Sequence, residues 1–507
     1  MKLKAKYIDM DTGEITALLH IVDCAEIGVH EGDRVKVKHE NNTVTAIVQT
    51  TDSFLTQGEI GLLGKAYHYI GPEPGELLDV MATGKPESVD YVRKKMDGME
   101  LTKEEIQTIV EDISTRSLSS VELAAYVTAL HINGMNIRET ADLTTAMVQT
   151  GETIEFDRSP VFDFHSVGGV PGNKVTLLVV PIVAAAGLLI PKTSSRAISS
   201  AAGTADIVEV FAKVDFDGTE LKRIAESVGG IMAWGGGLNL APADDVIIRV
   251  EHPLGIDPHA QLLASVMSKK KAVGADFLLI DIPMGEGTKV PTMDMAKEYA
   301  RDFVQLGEML GIKVECAITY GGQPVGRAIG PALEAIEAIS VLEGAKAPNS
   351  VIEKTCQLSG IILEMGGIPK GYDRAKQILE SGQALAKFQE IVAAQGGKPS
   401  IKSTDIVTGK FKTEVVAKKS GYISSIRNKD LVRIARAAGA PKDKGAGVVI
   451  INKVGAKVDA GETLFRIYAD NENKLNDAVG VARKFEPMTV AGMVLGRVPA
   501  DFNRLPP

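Results

Sequence analysis

Two loops rich in glycine and hydroxyl side chains constrain the fold of this chain more than any other feature. Residues 163–174 contain Gly168, Gly169 and Gly172, and residues 192–206 contain four serines and two threonines. Each loop follows a short apolar segment and precedes a helical pattern, so backbone N–H groups and a helix N-terminus can converge on an anion. Two neighbouring strands are therefore predicted to present their loops to one ligand that carries phosphate.

The region around these loops, residues 161–400, alternates apolar segments with helical patterns. Such alternation predicts an α/β lobe with a central mixed or parallel sheet and crossover helices. Ligands of such sheets bind at the carboxyl ends of the strands, which is where both loops fall. The predicted strands are residues 161–165, 188–193, 246–250, 277–282 and 314–319, and the predicted helices are residues 175–186, 258–273, 332–342 and one beginning at Ala205.

Three further domains are predicted, which makes the chain an α/β multidomain protein. Residues 1–85 are predicted to form a small N-terminal β-barrel, with strands at 2–7, 15–21, 34–38 and 43–48 and an exit at the turn residues 71–75. Residues 86–160 are predicted to form a helical lobe, to which part of the α/β lobe's chain is allowed to return. In that lobe Thr102, Ser119 and Asn136 each precede a glutamate by three residues, the pattern of a capping box.

The last domain, residues 401–507, is predicted to be α+β. Its predicted strands are residues 411–416, 421–426, 447–451 and 463–468, with one helix that contains Leu431, Ile434 and Ala437. A chain of 507 residues is long enough for several such domains, each with its own core.

Composition excludes several classes of partner. A net charge of −9 argues against nucleic acid as a ligand, because binding to phosphate backbones needs a basic surface. Cys24, Cys316 and Cys356 lie far apart, which argues against a disulfide framework or a zinc site and favours a reducing compartment. The longest apolar run, residues 175–190, contains Pro181 and Gly187 and is too short to span a membrane. We therefore expect a cytoplasmic enzyme that binds neither nucleic acid nor membrane.

The first loop does not fit either common nucleotide-binding motif. A P-loop needs Gly-Lys-Ser/Thr, but Asn173 precedes and Val175 follows Lys174, and no Gly-x-Gly-x-x-Gly with a downstream acid is present. A phosphate could still bind through the backbone at Gly168 together with Ser166 and Lys174. A tight turn that packs a helix against a strand explains the same residues equally well.

The second loop points more clearly to an anion. Arg196 offers a guanidinium fork, and Gly203 allows a close approach of the backbone. A solvated linker fits poorly, because apolar segments flank the loop on both sides. The hydroxyl groups available to phosphate oxygens are those of Ser194, Ser195, Ser199, Ser200 and Thr204.

The chain resembles the thymidine phosphorylase family of nucleoside phosphorylases. The signature-like stretch is Ser195-Arg196-Ala197-x-x-x-Ala201-Ala202-Gly203-Thr204-Ala205-Asp206-x-x-Glu209, and Asp163-x-His165-Ser166-x-Gly168-Gly169-Val170 is similar to the family's first phosphate loop. Residues 240–244 and 264–270 match further stretches, so the likeness runs from about residue 100 to the C-terminus. The resemblance implies a helical lobe and an α/β lobe that close on the substrates, and phosphorolysis, in which phosphate attacks the anomeric carbon and the base departs.

The resemblance also implies roles for individual residues. Asp257 would donate a proton to the leaving base, although a residue before Pro258 could equally be the N-cap of a helix. The predicted substrate- and phosphate-binding residues are Gly169, Ser195, Arg196, Ala197, Ile198, Ser199, Ser200, Thr204, Ser265 and Lys289. Secondary candidates are His165, Ser166, Gly168, Lys174, Ser194 and Lys269, of which Lys269 would share a helix face with Ser265.

Four departures from the family pattern indicate the substrate. Phe164 stands where the family's first loop usually carries lysine, and two residues are inserted near Pro171 and Lys174, so that Lys174 becomes a candidate replacement cation. The arginine that grips a pyrimidine has no clean counterpart, although Arg249 is close. The N-terminal β-domain is also absent from nucleoside-specific members. Together these features resemble the branch of the family that acts on nucleoside 5′-monophosphates.

The predicted reaction converts AMP and phosphate into adenine and ribose 1,5-bisphosphate, with CMP and UMP as further candidate substrates. No metal and no cofactor is expected, and a homodimer or larger homo-oligomer is. The alternatives are a thymidine or pyrimidine-nucleoside phosphorylase, and a phosphoribosyltransferase like the one acting on anthranilate, for which Asp244 and Asp245 would have to hold Mg²⁺. A non-catalytic nucleotide-binding regulator with the same fold is the alternative from another class.

Overall fold

The computed structural model describes residues 1–10, 12–197 and 200–494. Contacts between residues divide the chain into two compact units. The first consists of Met1–Gly151 and Ala241–Ser268, and the second of Glu152–Leu240 and the chain from Lys269 onward. No helix in the described ranges is long and apolar enough to cross a membrane.

The first unit begins with a closed six-stranded barrel in the order β1-β5-β2-β4-β3-β6. Leu3, Val35, Val37, Ile60 and Val80 alternate with polar neighbours and fill its interior without exposure. The strands are β1 Lys2–Ile8, β2 Thr16–His20, β3 Arg34–His39, β4 Asn42–Thr51, β5 Glu59–Leu63 and β6 Leu77–Thr83, with helices α1 Ile21–Ile27 and α2 Gly64–Ile70 between them. The barrel and its first four strands are confirmed.

The predicted exit from the barrel at residues 71–75 is wrong. After that turn the chain returns as β6, which pairs with β1 on one side and β3 on the other and so closes the barrel. The proline- and glycine-rich turn was the strongest break in the local pattern. A strand that closes a barrel is defined by its two distant neighbours, however, and not by the turn before it.

The rest of the first unit is helical. The capping boxes at Thr102, Ser119 and Asn136 are all present, each with the hydroxyl or amide oxygen accepting from the third backbone N–H and the glutamate bonding back. The helices are α3 Ser88–Met96, α4 Lys103–Ser114, α5 Ser120–Asn133 and α6 Ile137–Gln149, joined by α10 Pro242–Leu254 and the start of α11 His259–Ala272. The three predicted helix starts are therefore confirmed.

The strand predicted at residues 246–250 is wrong, because these residues lie inside α10. Pro242 stands in the first helical turn and Asp244 and Asp245 follow it, all favourable at a helix N-terminus. Ala243 and Ile247, four residues apart, are buried in the helical core of the unit. Helix-start chemistry and burial of one face thus outweigh the β-branched composition of the segment.

The second unit contains the predicted parallel sheet in two parts. The strands β11-β10-β7 form one parallel sheet and β8-β9 another, linked by a bridge between Val161 and Leu189. The strands are β7 Phe162–Ser166, β8 Ile190–Ser194, β9 Gly230–Trp234, β10 Phe277–Met284 and β11 Lys313–Tyr320, and the crossover helices are α7 Thr176–Ala185, α8 Thr204–Val208, α9 Gly218–Val228 and α12 Met293–Leu310. Both glycine- and serine-rich loops therefore start at the carboxyl ends of neighbouring strands, as predicted.

Further helices and a C-terminal α+β region complete the second unit. The helices are α13 Pro331–Leu342, α14 Asn349–Met365, α15 Gly371–Glu380 and α16 Gln383–Ala394, followed by α17 Asn428–Ala437 and α18 Glu472–Phe485. The antiparallel sheets β12-β15-β17-β13 and β16-β14-β18 consist of β12 Ala328–Ile329, β13 Phe411–Val416, β14 Gly421–Ile426, β15 Gly447–Ile450, β16 Lys457–Val458, β17 Thr463–Ala469 and β18 Met488–Ala491. All four predicted strands and the predicted helix of this region are confirmed.

Candidate functional site

The loop after β7 is anchored by a buried carboxylate of β10. The hydroxyl of Ser166 donates to Asp281 Oδ2 over 2.8 Å, and the amide of Asn173 donates to the Ser166 oxygen over 2.9 Å. Thr319 donates to Asp281 Oδ1, and the ammonium of Lys354 lies 2.8 Å from Oδ2. Ser166 thus holds the loop to the sheet, and its hydroxyl proton is already engaged within the protein.

Two glycines of this loop have left-handed backbone conformations. Gly168 has φ of 90° and Gly169 φ of 88°. A Cβ at Gly169 would lie 2.6 Å from the backbone nitrogen of Lys289, whereas a Cβ at Gly168 would meet nothing within 4 Å. Gly169 therefore brings the β7 loop against the β10 loop, where Thr288 donates to the carbonyls of residues 285 and 290. Lys289 is exposed at this junction.

Lys174 does not fit its predicted role as a replacement cation. Its side chain is fully buried, and its ammonium donates to the carbonyls of Val325 and Ala328 over 3.2 and 3.0 Å and to the carboxylate of Glu337. Three protein oxygens thus occupy the ammonium. Lys174 fixes the chain that leads into β12, and no donor is left for a phosphate.

The loop after β8 is held in shape by Asp206 at the start of α8. One oxygen of Asp206 accepts from the backbone N–H groups of Ala197 and Gly203, over 2.7 and 3.0 Å. A Cβ at Gly203 would lie 2.6 Å from the Ser195 carbonyl oxygen, so only glycine permits this closure. Ser195 is exposed, and Thr204 begins the helix. Ile198 and Ser199 lie outside the described residues.

The remaining hydroxyls of this loop bond to their own surroundings. Ser194 donates to the carbonyl of Ala233 over 3.2 Å, and Ser200 donates to the carbonyl of Ala202 over 3.1 Å. Both bonds leave the hydroxyl oxygens able to accept, but they do not aim the protons at a ligand.

Arg196 binds acidic and aromatic neighbours in this structure. Its two terminal nitrogens donate to the two oxygens of Glu209 over 2.8 and 2.6 Å, and its guanidinium carbon lies 4.8 Å from the centre of the Trp234 ring. The bond from Arg196 lowers the pKa of Glu209 to about 2, with Lys444 contributing further. The guanidinium therefore braces the loop against α8.

The carboxyl ends of β7 and β8 gather an excess of positive charge. Asp163 accepts from the ammonium of Lys270 over 2.7 Å, and Lys192 lies 3.9 Å away. Burial, and then the charges of Lys270, Lys192, Lys269 and Lys289, lower the pKa of His165 well below its usual value. His165 is therefore neutral near pH 7, and the electrostatic potential at its ring is set by ammonium groups. An arrangement of this kind favours an anion.

The candidate residues of the first unit lie on and before α11. Ser265 donates to Asp244 Oδ2 over 2.8 Å, and Gln261 donates to the other oxygen over 3.0 Å. The helix begins at His259, with the carbonyl of Pro258 accepting from Leu262, so Asp257 stands one residue before the capping position. We would expect a proton donor to be buried, but Asp257 is exposed.

Sequence reasoning missed the buried charges that organise this region. Asp163, Asp206 and Lys270 belong to the quoted stretches and Lys192 opens the second loop, but nothing in the sequence indicates that Asp163, Lys192 and Lys270 are buried together. Asp163 and Lys270 are 107 residues apart in sequence. No group of three or more His, Cys, Asp or Glu side chains in the described ranges is placed to hold a metal ion.

Comparison with known families reproduces the order of the domains. Residues 89–151 match the helical bundle domain of a glycosyl transferase family, and residues 158–385 match the α/β domain of that family. Residues 422–486 match the pyrimidine nucleoside phosphorylase C-terminal domain. The crystal structure of anthranilate phosphoribosyltransferase from Thermus thermophilus shares the fold, with a TM-score of 0.52 and 20% identity over 61% of this chain and 100% of that one.

Curated relatives match almost the whole chain. AMP phosphorylase of Methanococcoides burtonii is 50% identical over 501 residues, 98% of this chain and 99% of its own. AMP phosphorylase 1 of Archaeoglobus fulgidus is 51% identical over 98% of both chains, and AMP phosphorylase of Thermococcus kodakarensis is 51% identical over 98% of this chain and 99% of its own. The predicted kinship with nucleoside phosphorylases is confirmed, and the chain belongs to the AMP phosphorylase family.

Proposed function

We propose that this protein catalyses the phosphorolysis of AMP. An oxygen of inorganic phosphate bonds to C1′ of the ribose, the C1′–N9 bond breaks with its electron pair going to the base, and adenine leaves after gaining a proton. The products are adenine and ribose 1,5-bisphosphate. The observation that carries this proposal is about 50% identity to proteins named AMP phosphorylase along 98% of the chain. CMP and UMP are proposed as further substrates.

The second unit supplies groups suited to phosphate. The loops after β7 and β8 offer backbone N–H groups and hydroxyls beside a cluster of lysines, which is a common way to hold a phosphate. Arg196 braces the β8 loop through Glu209, and its guanidinium is proposed to contact phosphate as well. The proposed binding residues here are Gly168, Gly169, Ser194, Ser195, Ala197, Ser200, Thr204, His165 and Lys289, together with Ile198 and Ser199.

The leaving base needs a proton, and we assign its donation to Asp257. Cleavage of a glycosidic bond passes through an oxocarbenium-like state, and protonation of the leaving group lowers the barrier. Ser265 and Lys269, one helical turn apart on α11, are proposed to recognise the edge of the base. The enzyme is proposed to act in the cytoplasm without metal or cofactor, with inorganic phosphate as co-substrate, as a homodimer or larger homo-oligomer.

The test is release of free base from a panel of substrates with and without inorganic phosphate. AMP should give adenine and ribose 1,5-bisphosphate only when phosphate is present. Adenosine, uridine and thymidine serve as controls that lack the 5′-phosphate. Turnover of these nucleosides, with none of AMP, would overturn the proposal and favour a nucleoside phosphorylase.

The role of Asp257 is tested by Asp257→Asn. We expect kcat to fall by about 10²–10⁴-fold, because the amide cannot donate an acidic proton. Binding of AMP, measured by calorimetry, should remain. An unchanged kcat would show that another group protonates the base.

A further inference from the structure

The excess positive charge beside the two loops comes from two buried lysines that lie around one buried aspartate. The side chains of Asp163, Lys192 and Lys270 are 0%, 5% and 2% exposed. Lys270 donates to Asp163 over 2.7 Å, and the ammonium of Lys192 lies 3.9 Å from the other carboxylate oxygen. Both ammonium groups also contact the carbonyl of Thr193. Two buried amines therefore share one carboxylate.

This ratio leaves a buried positive charge without a matching negative one. Neutral His165 adds no charge, and the neighbouring Lys269 and Lys289 add to the positive potential. A buried ion that is not matched by an opposite charge is strongly destabilising, and a lysine in that position usually responds by losing its proton. Burial, followed by the charge of Lys270, lowers the pKa of Lys192 to about 7, while Asp163 opposes this change.

Phe164 and Lys174 show why Lys192 matters. Phe164, next to Asp163 on β7, is fully buried among apolar side chains of the second unit and offers no charge to a ligand. Lys174, ten residues later, is tied to Glu337 and two carbonyls. Lys192 lies on the neighbouring strand β8. Its ammonium is 3.9 Å from the carboxylate of Asp163, the residue before Phe164.

We propose that Lys192 supplies, from strand β8, a cation for an anion bound at the loops after β7 and β8, and that its side chain takes up a proton from solvent when a phosphate group binds. This inference rests on the proposed function for the identity of the anion, but the ion pairing that it describes does not. One N–H bond forms at Nζ, the solvent loses the proton, and no other covalent bond changes.

The direction of the effect follows from charge. An anion near an amine stabilises the ammonium form, so binding raises the pKa of Lys192 and protons are taken up. Well below the pKa of the free protein Lys192 already carries its proton, and uptake vanishes. Above it, anion binding has to include protonation, so affinity falls as pH rises. Asp163 and His165 on β7 and Lys270 on α11 are the titratable groups that face Lys192, and each enters the same balance.

The experiment is calorimetric titration of the full-length protein with sulfate, in two buffers of different ionisation enthalpy. Sulfate is a dianion throughout this pH range, so any proton taken up belongs to the protein. We expect uptake approaching about one proton per site near pH 8 and close to zero near pH 6, as a pKa near 7 in the free protein requires. Binding of sulfate without uptake near pH 8 would overturn the proposal.

Three variants assign the proton. Lys192→Met should bind sulfate at least about tenfold more weakly near pH 6 and take up no proton near pH 8, since its side chain cannot be charged. Lys192→Arg should bind sulfate at both pH values and also take up none, because a guanidinium stays charged. Lys453→Met is the matched control. Lys453 also has a pKa lowered by burial, to about 8, but it bonds to the carbonyls of Pro324 and Gly326, and its loss should leave the uptake intact.

Circular dichroism of each variant checks that the fold is retained. If Lys192→Met keeps the proton uptake of the original protein, Lys192 is not the group and the inference fails. If Lys192→Arg restores affinity without uptake, charge at this position is the requirement and the inference stands.

Two further titrations identify which phosphate Lys192 serves. Both of these phosphates titrate near neutral pH themselves, so only the proton uptake that Lys192→Met abolishes is counted. Such uptake on binding inorganic phosphate but not AMP assigns Lys192 to the co-substrate, and the reverse assigns it to the 5′-phosphate of AMP. Dependence on Lys192 in either titration supports the inference, and its absence from both overturns it. Because binding is measured without turnover, failure of AMP phosphorolysis would overturn the proposed function while leaving the sulfate result interpretable.

Discussion

Buried lysines in the two units show how differently the same side chain can be used. In the helical part of the first unit Lys95 bonds to Glu139 over 2.9 Å, with both side chains nearly unexposed. Glu139 also accepts from the backbone of Leu101 and of Asn136. Burial alone would raise the pKa of Glu139, but the bonds from Leu101 and Lys95 lower it overall. Each charge here has its partner, and the pair is complete without a ligand.

In the second unit Lys192 and Lys270 share Asp163, so two amines lie beside a single carboxylate. A buried ion pair with full hydrogen bonding holds helices in register, whereas a surplus of buried charge is tolerated where a ligand completes it. Burial of a charged side chain therefore does not by itself indicate function. The imbalance of charge within the cluster is the informative quantity.

The first prediction breaks the balanced pair. Glu139→Gln leaves the Lys95 ammonium buried beside a neutral amide, and we expect the free energy of unfolding to fall by about 3–5 kcal/mol. Urea denaturation followed by circular dichroism measures the change. Sulfate should not recover the loss, because no anion site belongs to this pair. Recovery of stability by sulfate would mean that the Lys95–Glu139 pair also forms part of an anion site.

The second prediction enlarges the imbalance. Asp163→Asn removes the carboxylate between Lys192 and Lys270, and we expect a loss of about 2–3 kcal/mol, less than for Glu139 because a lysine here can lose its proton. Saturating sulfate should raise the thermal midpoint of this variant more than that of the original protein, because the anion now faces a larger positive charge. An equal rise in both proteins would contradict the assigned role of the cluster.

The extent to which sequence anticipated these features depends on the range of the interactions. Capping boxes at Thr102, Ser119 and Asn136 act within three residues, and all three predicted helices exist. Strand β6 was missed because its partners β1 and β3 are remote in sequence. The segment 246–250 is helical despite its β-branched residues, because Pro242 starts the helix and one face of it is buried.

The candidate site shows the same division. Sequence placed both loops at strand ends, since strand–loop–helix order is a local pattern. It could not show that the Lys174 ammonium faces Glu337, 163 residues away, or that Lys192 faces Asp163. The partner of a buried charge is set by packing between distant segments. Lys174, a predicted cation for phosphate, is thus engaged within the protein, whereas Lys192, for which no role was predicted, lies in the cationic cluster.

The third prediction tests whether the contact between the β7 and β10 loops is needed for anion binding at the cationic cluster. Gly169→Ala places a Cβ 2.6 Å from the backbone nitrogen of Lys289, while Gly168→Ala has a similar φ but open space. We expect Gly168→Ala to cost about 1–2 kcal/mol of stability through its left-handed backbone alone. Gly169→Ala should cost about 1 kcal/mol more through the clash, and it should also weaken sulfate binding by displacing the Lys289 loop.

Urea denaturation and sulfate calorimetry on both variants separate these effects. Equal sulfate affinity in the two variants would show that the contact between the β7 and β10 loops does not support the anion site. A selective loss in Gly169→Ala would connect the loop contact to binding.

The last prediction moves the comparison to a half-exposed cluster, where solvent should remove most of the effect. Glu209, 35% exposed, binds Arg196 and Lys444, and the bond from Arg196 lowers its pKa to about 2 from 4.5. A lowered pKa in the folded protein contributes stability above about pH 4.5 that is lost as pH falls towards 2. Because solvent screens the pair, Glu209→Gln should cost only about 1 kcal/mol near pH 6.

That difference between Glu209→Gln and the original protein, measured by urea denaturation, should shrink as the pH is lowered through this window. Glu220→Gln, which removes an exposed partner of Lys213, is the matched control and should change stability by less than about 0.5 kcal/mol at any pH. A loss of several kcal/mol in Glu209→Gln would show that this cluster is as poorly screened as the one around Asp163. Solvent exposure would then not explain why the Glu209–Arg196 pair stabilises a loop while the cluster around Asp163 binds an anion.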